Sequence, residues 1–230
     1  NQRDLPDGRD LNRAFPGKKT GSLAAQIAHQ LSQWVLPHTD LVVDFHTGGA
    51  QRFNAPQIRL SQDDPELLKK ANVFGAPFII HSKPTPKSLR HTCDKKGIPL
   101  LLFEGGKSND ITPSVSNTGV NGIKRLMYEL KMLSPKFTVS KPKYKSIEIV
   151  NSSWIRAGSS GMFKPLIEVG RWTEKGANIG QLSDPYGQSS ISVLAPNAGY
   201  IFNVNQAPTV YQGDALFHIS TDIRNGQNEG

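Results

Sequence analysis

The chain has 230 residues, enough for one large domain or two modest ones at roughly 150 residues per domain. Its 37% hydrophobic content, together with non-polar runs no longer than the eight residues Val73 to Ile80, excludes a disordered chain and a helical membrane span, which needs roughly 20 apolar residues. The net charge of +8 suits an anionic partner, and the single Cys93 excludes an intramolecular disulfide framework and a Cys-built zinc finger, while fitting a reduced, cytoplasmic setting.

Residues 1–20 read as a polar loop punctuated by Pro6, Gly8, Pro16 and Gly17. Leu23, Ile27, Leu31, Trp34 and Val35 recur at helical spacing and predict a helix that Pro37 ends. Leu41 to Phe45 predicts a short buried strand, Pro65 to Phe74 a second helix and Pro77 to His81 a second strand. Ile98 to Phe103 predicts a further buried strand, and Val120, Ile123, Leu126, Met127 and Leu130 mark a last helix ending near Leu133. Helices alternating with apolar strands predict an α/β layer structure with a mixed, largely parallel sheet flanked by helices.

The lysines 131, 136, 141, 143 and 145 fall in one stretch without an acidic residue, so 134–146 reads as a basic, solvated linker. No nucleic-acid recognition pattern accompanies the charge, and nucleic acid is set aside as a partner, as is a membrane. Beyond it, short β-prone segments (147–150, 162–169, 179–182, 191–194, 200–204, 216–219) alternate with Gly, Pro, Asn and Asp turns, which predicts a small all-β barrel or sandwich over 147–220 and a loose tail at 221–230.

Two of the predicted strands end in an ionisable residue followed by glycines: Asp44-Phe45-His46-Thr47-Gly48-Gly49 and Phe103-Glu104-Gly105-Gly106. Ligands gather at the carboxyl ends of strands in open α/β sheets, and here those ends deliver an imidazole and a carboxylate. Asp44 precedes His46 by two residues, so both point to one face of a strand. From spacing alone Asp44 either orients the imidazole or pairs locally. The opening loop, Arg3 to Gly17, carries three arginines, three aspartates and Asn12 in 15 residues. Arginine forks bind carboxylates bidentately and stabilise oxyanions, although such charges also pair with one another on a surface.

Taken together, Asp7-Gly8-Arg9-Asp10-Leu11-Asn12-Arg13 with Phe15-Pro16-Gly17, then Val43 to Gly48, then Phe103 to Gly106 resemble the succinylglutamate desuccinylase/aspartoacylase family, a branch of the zinc carboxypeptidase-like fold. The resemblance covers most of residues 1–133 and implies a zinc-dependent deacylase acting on a small acidic or N-acyl amino acid substrate. It implies that His46 is a zinc ligand with Asp44 behind it, and that Glu104 takes a proton from the metal-bound water and returns it to the leaving amine. Asn12 and Arg13 match the pair that holds a substrate carboxylate. Arg3, with Arg9 as the alternative, matches the arginine that stabilises the oxyanion, and Arg90 is matched to the substrate's other acidic end.

The family's remaining two zinc ligands come from a His-x-x-Glu motif upstream of this loop, and the chain, which begins at Asn1, does not contain it. A catalytic zinc needs three protein ligands and an open water position. Either a segment of some tens of residues precedes Asn1, or the chain is a relative that binds carboxylates without metal. Val193 to Tyr200 and Val210 to Leu216 look like the halves of a biotinyl or lipoyl carrier barrel, but no lysine follows Lys175, so the β part is read as a cap over the cleft. A homo-oligomer is left open.

Overall fold

A computed structural model of the chain describes residues 3–61 and 64–224. The opening loop, including a 3₁₀ turn at Leu11–Arg13, is stitched to the first helix, α1 (Leu23–Gln30). Ser22 Oγ accepts from the Ala25 amide and Asp7 Oδ2 from the Ala24 amide, which satisfies two free N–H groups of that helix terminus. Past Gln30 the chain stays helical through a π turn (Leu31–Val35) and a 3₁₀ turn (Leu36–His38), so Pro37 lies inside the last turn and does not end the helix ahead of it.

The strands β1 (Val42–Gly48), β2 (Arg52–Leu60), β3 (Phe78–His81) and β4 (Leu100–Lys107) alternate with α2 (Pro65–Phe74), α3 (Leu89–Lys96) and α4 (Pro113–Glu129). Two of these elements escape a reading of hydrophobic pattern. β2 carries Arg52, Asn54, Pro56, Gln57 and Arg59, and α3 is polar along most of its length. α3 is defined by its ends, with Ser88 Oγ accepting from the His91 amide and Gly97 closing it in the left-handed conformation. α4 begins seven residues before Val120, at Pro113, and stops at Glu129. It lies close on the sheet because Gly119 and Gly122 face the rings of Phe45 and Phe74; a Cβ at 122 would stand 2.4 Å from Phe74.

The sheet is mixed. β1 runs parallel to β4 and β2 parallel to β3, but β4 and β2 are antiparallel. β5 (Ile147–Arg156) then adds parallel to β3, β12 (Ala215–Arg224) antiparallel to β5, and β10 (Gly199–Asn205) antiparallel to β12. β10 also pairs with the first residues of β2, through Asn203 and Asn54, so β2, β3, β5, β12 and β10 close into a ring. The sheet is mixed, as expected from the sequence, but it is not largely parallel: three of its described pairings, β1–β4, β2–β3 and β3–β5, are parallel and the others antiparallel, and five strands close into a ring. The predicted tail begins too early, since Ile223 and Arg224 pair with Ile149 and Glu148; residues 225–230 lie outside the described residues.

A second sheet of four strands, in the order β11 (Thr209–Val210), β6 (Gly161–Pro165), β8 (Asn178–Ser183) and β9 (Ser190–Leu194), packs over one part of the ring. Phe163, Ile179, Leu182 and Val193 meet Ile201, Leu216, Phe217 and Ile219 in one core between the two sheets. On the α/β side, Ile58, Phe74, Ile79, Leu101 and Phe103 form a separate core under α2 and α4. Segment 134–146 has no regular secondary structure, and Arg125 holds it in place by donating to the carbonyls of Ser140, Lys141 and Phe74.

Candidate active site

The carboxyl ends of β1 and β4 open into a cleft of about 1250 Å³. The parallel register sets His46 beside Glu104. Glycine is required at 48 because the chain turns back there against β2: a Cβ on Gly48 would lie 1.9 Å from the Arg52 carbonyl oxygen. Gly106, near the end of β4, has φ +67°, a left-handed conformation that glycine adopts without steric cost, and Lys107, Ser108 and Asn109 beyond it line the cleft.

The His46 ring places Nε2 3.0 Å from Asp44 Oδ2, and the same-face placement read from the sequence is thus a direct hydrogen bond. That bond raises the imidazole pKa against the opposing effect of burial, with the Asp44 and Glu104 charges adding to it. Nε2 being engaged, Nδ1 is the nitrogen left for another partner.

Glu104 is held from one side. Arg59 Nε lies 3.0 Å from Oε2, and Asn54 Nδ2 and Gln57 Nε2 donate to the same oxygen at 3.3 and 3.4 Å. Among the described residues no hydrogen bond engages Oε1. These three partners share one face of β2 only because the strand bulges between Asn54 and Gln57. Gln57 and Arg59 are two apart and face together by simple alternation; Asn54, three residues before Gln57, would face the other way in a regular strand. The irregularity around Pro56, which lacks the N–H for a ladder bond, turns Asn54 onto the Glu104 side.

The opening loop supplies the opposite wall. Asp10 Oδ1 accepts from the Asn12 amide and its Oδ2 is gripped by Arg3 through Nε at 2.9 Å and Nη2 at 2.8 Å. Burial opposes ionisation of Asp10, but the hydrogen bonds from Arg3 and the Asn12 backbone hold its pKa below the usual carboxylate value. Asn12 Oδ1 accepts from the Leu89 amide at the start of α3, so its Nδ2 is the group left to face the cleft. Arg13 Nη1 donates to the Asn12 carbonyl.

Of the residues singled out in the sequence, Arg3, Asn12, Arg13, Asp44, His46, Arg90 and Glu104 all line this cleft. Arg9 does not. It is exposed on the loop, where its backbone pairs with Leu5 and Asp7. Arg90 is buried and spends its guanidinium on Ser82 Oγ and the carbonyls of Ser82 and Lys83; burial, then the nearby Arg59, pushes its pKa down to about 10, so it stays charged at neutral pH. Arg52, Arg59, Asn54, Trp154 and Asn203 join the lining without having been singled out. Gln57 and Arg59 lie two apart on β2, a strand whose polar content left it without a signal in the hydrophobic pattern. Asn203, lodged in Ile201-Phe202-Asn203-Val204, was legible as a polar residue interrupting a buried run, but its place in the cleft was not.

Among the described residues no three His, Cys, Asp or Glu side chains are placed to hold a metal ion together. His46 offers one imidazole nitrogen, with Asp44 already spent on the ring's other nitrogen. The donor set present does not by itself fit a catalytic zinc, which takes three protein ligands.

A mixed sheet that delivers an imidazole and a carboxylate anchored at one oxygen into a cation-lined cleft defines a small-molecule site. Residues 1–130 match the succinylglutamate desuccinylase/aspartoacylase catalytic domain, and the chain belongs to that family. It is 25% identical over 227 residues to an N-alpha-acetyl-L-2,4-diaminobutyric acid deacetylase from Halomonas elongata, covering 93% of this chain and 66% of that protein. Its fold is that of the succinylglutamate desuccinylase/aspartoacylase from Rhodobacter sphaeroides (TM-score 0.82, 24% identity, 94% of this chain and 69% of that one). The ectoine utilization protein EutE from Ruegeria pomeroyi shares the fold as well (TM-score 0.82, 20% identity, 95% and 73%).

Proposed function

We propose that the protein hydrolyses the amide bond of a small N-acylated amino acid, with Glu104 as general base. The observation that carries the reading is the one-sided hold on Glu104: three nitrogens converge on Oε2 while Oε1 is left toward the cleft. A carboxylate held this way can take a proton from a water on its free oxygen as that water attacks the scissile carbonyl, and return the proton to the departing amine. Asn12 Nδ2 and Arg13 are set to receive the substrate carboxylate, and Arg3, fixed by Asp10, to face the oxyanion. Arg90 braces the 82–83 segment at the cleft wall in this scheme. The deacetylase relative and the family match support amide hydrolysis.

Zinc is part of the proposal, with His46 Nδ1 toward the metal. Among the described residues His46 is the one candidate ligand, and a bound zinc would supply a polarised water there. The family resemblance and the lone buried thiol of Cys93 support a cytoplasmic enzyme. A second reading is a carboxylate-binding protein without metal, which a cleft lined by Arg3, Arg13, Arg52 and Arg59 would also suit. Metal analysis of the purified protein separates the two: stoichiometric zinc supports the enzyme and none supports the binder.

Turnover of N-acetyl-2,4-diaminobutyrate, N-succinylglutamate and N-acetylaspartate, followed by amine release, tests the activity. Glu104→Gln is expected to lower kcat by roughly 10² to 10⁴-fold while leaving metal content nearly unchanged. Retained activity in that variant removes Glu104 from its role.

A further inference from the structure

We propose that Asn203, on β10, is a positioning residue that sets the orientation of Glu104 through the side-chain amide of Asn54. The inference rests on the reading of Glu104 as general base.

Asn203 and Asn54 are 3% and 4% exposed and face each other across the β10–β2 pairing, although 149 residues separate them in the chain. Asn203 Nδ2 donates to Asn54 Oδ1, and Asn54 Nδ2 donates to Glu104 Oε2 at 3.3 Å. A carboxamide is nearly symmetric in shape, so an unrestrained Asn54 could turn either end toward the carboxylate. Its oxygen would repel Glu104 and its nitrogen binds it. The donor from Asn203 occupies the oxygen and so selects the binding orientation. A flipped Asn203 would present its own oxygen to Asn54 and reverse the arrangement, so only one pair of orientations satisfies both links. Among the described residues Asn203 Oδ1 is buried without a partner, the cost of aiming Nδ2 at Asn54.

The consequence is directional. Without the Asn203 donor, Asn54 samples the flipped state, Glu104 loses one of three holds on Oε2, and the carboxylate is less often turned with Oε1 toward the water. Losses from partners that orient a catalytic group are typically about 10- to 100-fold. They fall on kcat, because substrate binding through Asn12 and Arg13 is untouched.

The test uses the full-length protein with whichever of the three N-acyl amino acids it turns over fastest. Asn203→Ala and the volume-preserving Asn203→Leu are each expected to lower kcat about 10-fold or more with KM changed little. Asn54→Leu should cause a similar loss, and the Asn54→Leu/Asn203→Leu double variant should be no slower than Asn54→Leu alone. Multiplying losses, or a loss confined to KM, would mean that Asn203 acts on the substrate directly and would overturn the relay. If neither Asn203 variant folds, an unchanged kcat in Asn54→Leu overturns it from the other end. A readout independent of turnover is the Asn54 side-chain amide in NMR, assigned by its disappearance in Asn54→Leu. It is expected as two sharp, dispersed protons in the wild type and as an exchange-broadened pair in Asn203→Ala; an unchanged pair sinks the relay. Absence of wild-type turnover with all three substrates would sink the deacylase reading, while the amide signals would still decide the Asn54 contact.

Discussion

His218 shows how a single buried group ties the stability of this protein to pH. It stacks on Trp154 with ring centroids 4.0 Å apart and packs on Phe202, and its Nδ1 has no partner. Burial, with the charge of Arg59 adding to it, pushes its pKa from 6.5 down to about 3. Between those values the unfolded chain binds the proton and the folded chain does not. The folded state is therefore favoured in full above pH 6.5 and loses that advantage as pH falls toward 3. His218→Phe keeps the ring stack and removes the titration. Urea unfolding midpoints at pH 4, 5, 6 and 7 should fall less steeply on acidification in the variant than in the wild type; parallel curves would mean that His218 is not held neutral. At the same scale, Asn12 was legible as a cleft residue from its motif, but its second task was not. Its Oδ1 caps α3 through the Leu89 amide, 77 positions away, and this leaves the nitrogen to the cleft.

At the scale of elements, the approach of α4 to the sheet depends on two glycines with different neighbours. A Cβ at 122 would stand 2.4 Å from the fully buried Phe74 ring, whereas at 119 it would stand 3.0 Å from Phe45, which is half exposed and can yield. Alanine gains about 1 kcal/mol over glycine in a helix interior, and overpacking of a rigid core costs about 1–3 kcal/mol. Gly122→Ala is expected to lower the thermal midpoint and Gly119→Ala to leave it unchanged or raise it. Equal responses in calorimetry would show that Phe74 can move aside. β2 and α3 illustrate why some elements stay hidden in a sequence. Arg52, Asn54 and Arg59 of β2 line the cleft and not a core, and α3 is specified by its two caps and not by an apolar face.

For the whole molecule, the ring of β2, β3, β5, β12 and β10 means that the C-terminal strands complete the sheet that carries the site. A chain ending at Ser146 would leave the edges of β2 and β3 without β10 and β5 and would uncover Ala55, Phe78 and Ile80, which pack against Ile149 and Phe202. Such a fragment is expected to show no cooperative thermal unfolding by circular dichroism, whereas the 230-residue chain should. A sharp transition in the fragment would show that the α/β half stands alone. Trp154 of β5 and Asn203 of β10 line the same cleft as Glu104.

What the sequence determined by itself is local. Apolar runs at strand and helix spacing, Asp44 two residues before His46, and Glu104 ahead of paired glycines are all short-range patterns, and physical chemistry at short range decides them. What only the tertiary structure decided is pairing over distance: Arg59, Gln57 and Asn54 meeting at one oxygen of Glu104, Asn203 closing on Asn54 across the ring, and Arg9 turned away from a cleft that Arg3 enters. Strand register and a bulge set those meetings, and both are settled by how whole faces pack, which no window of the sequence contains.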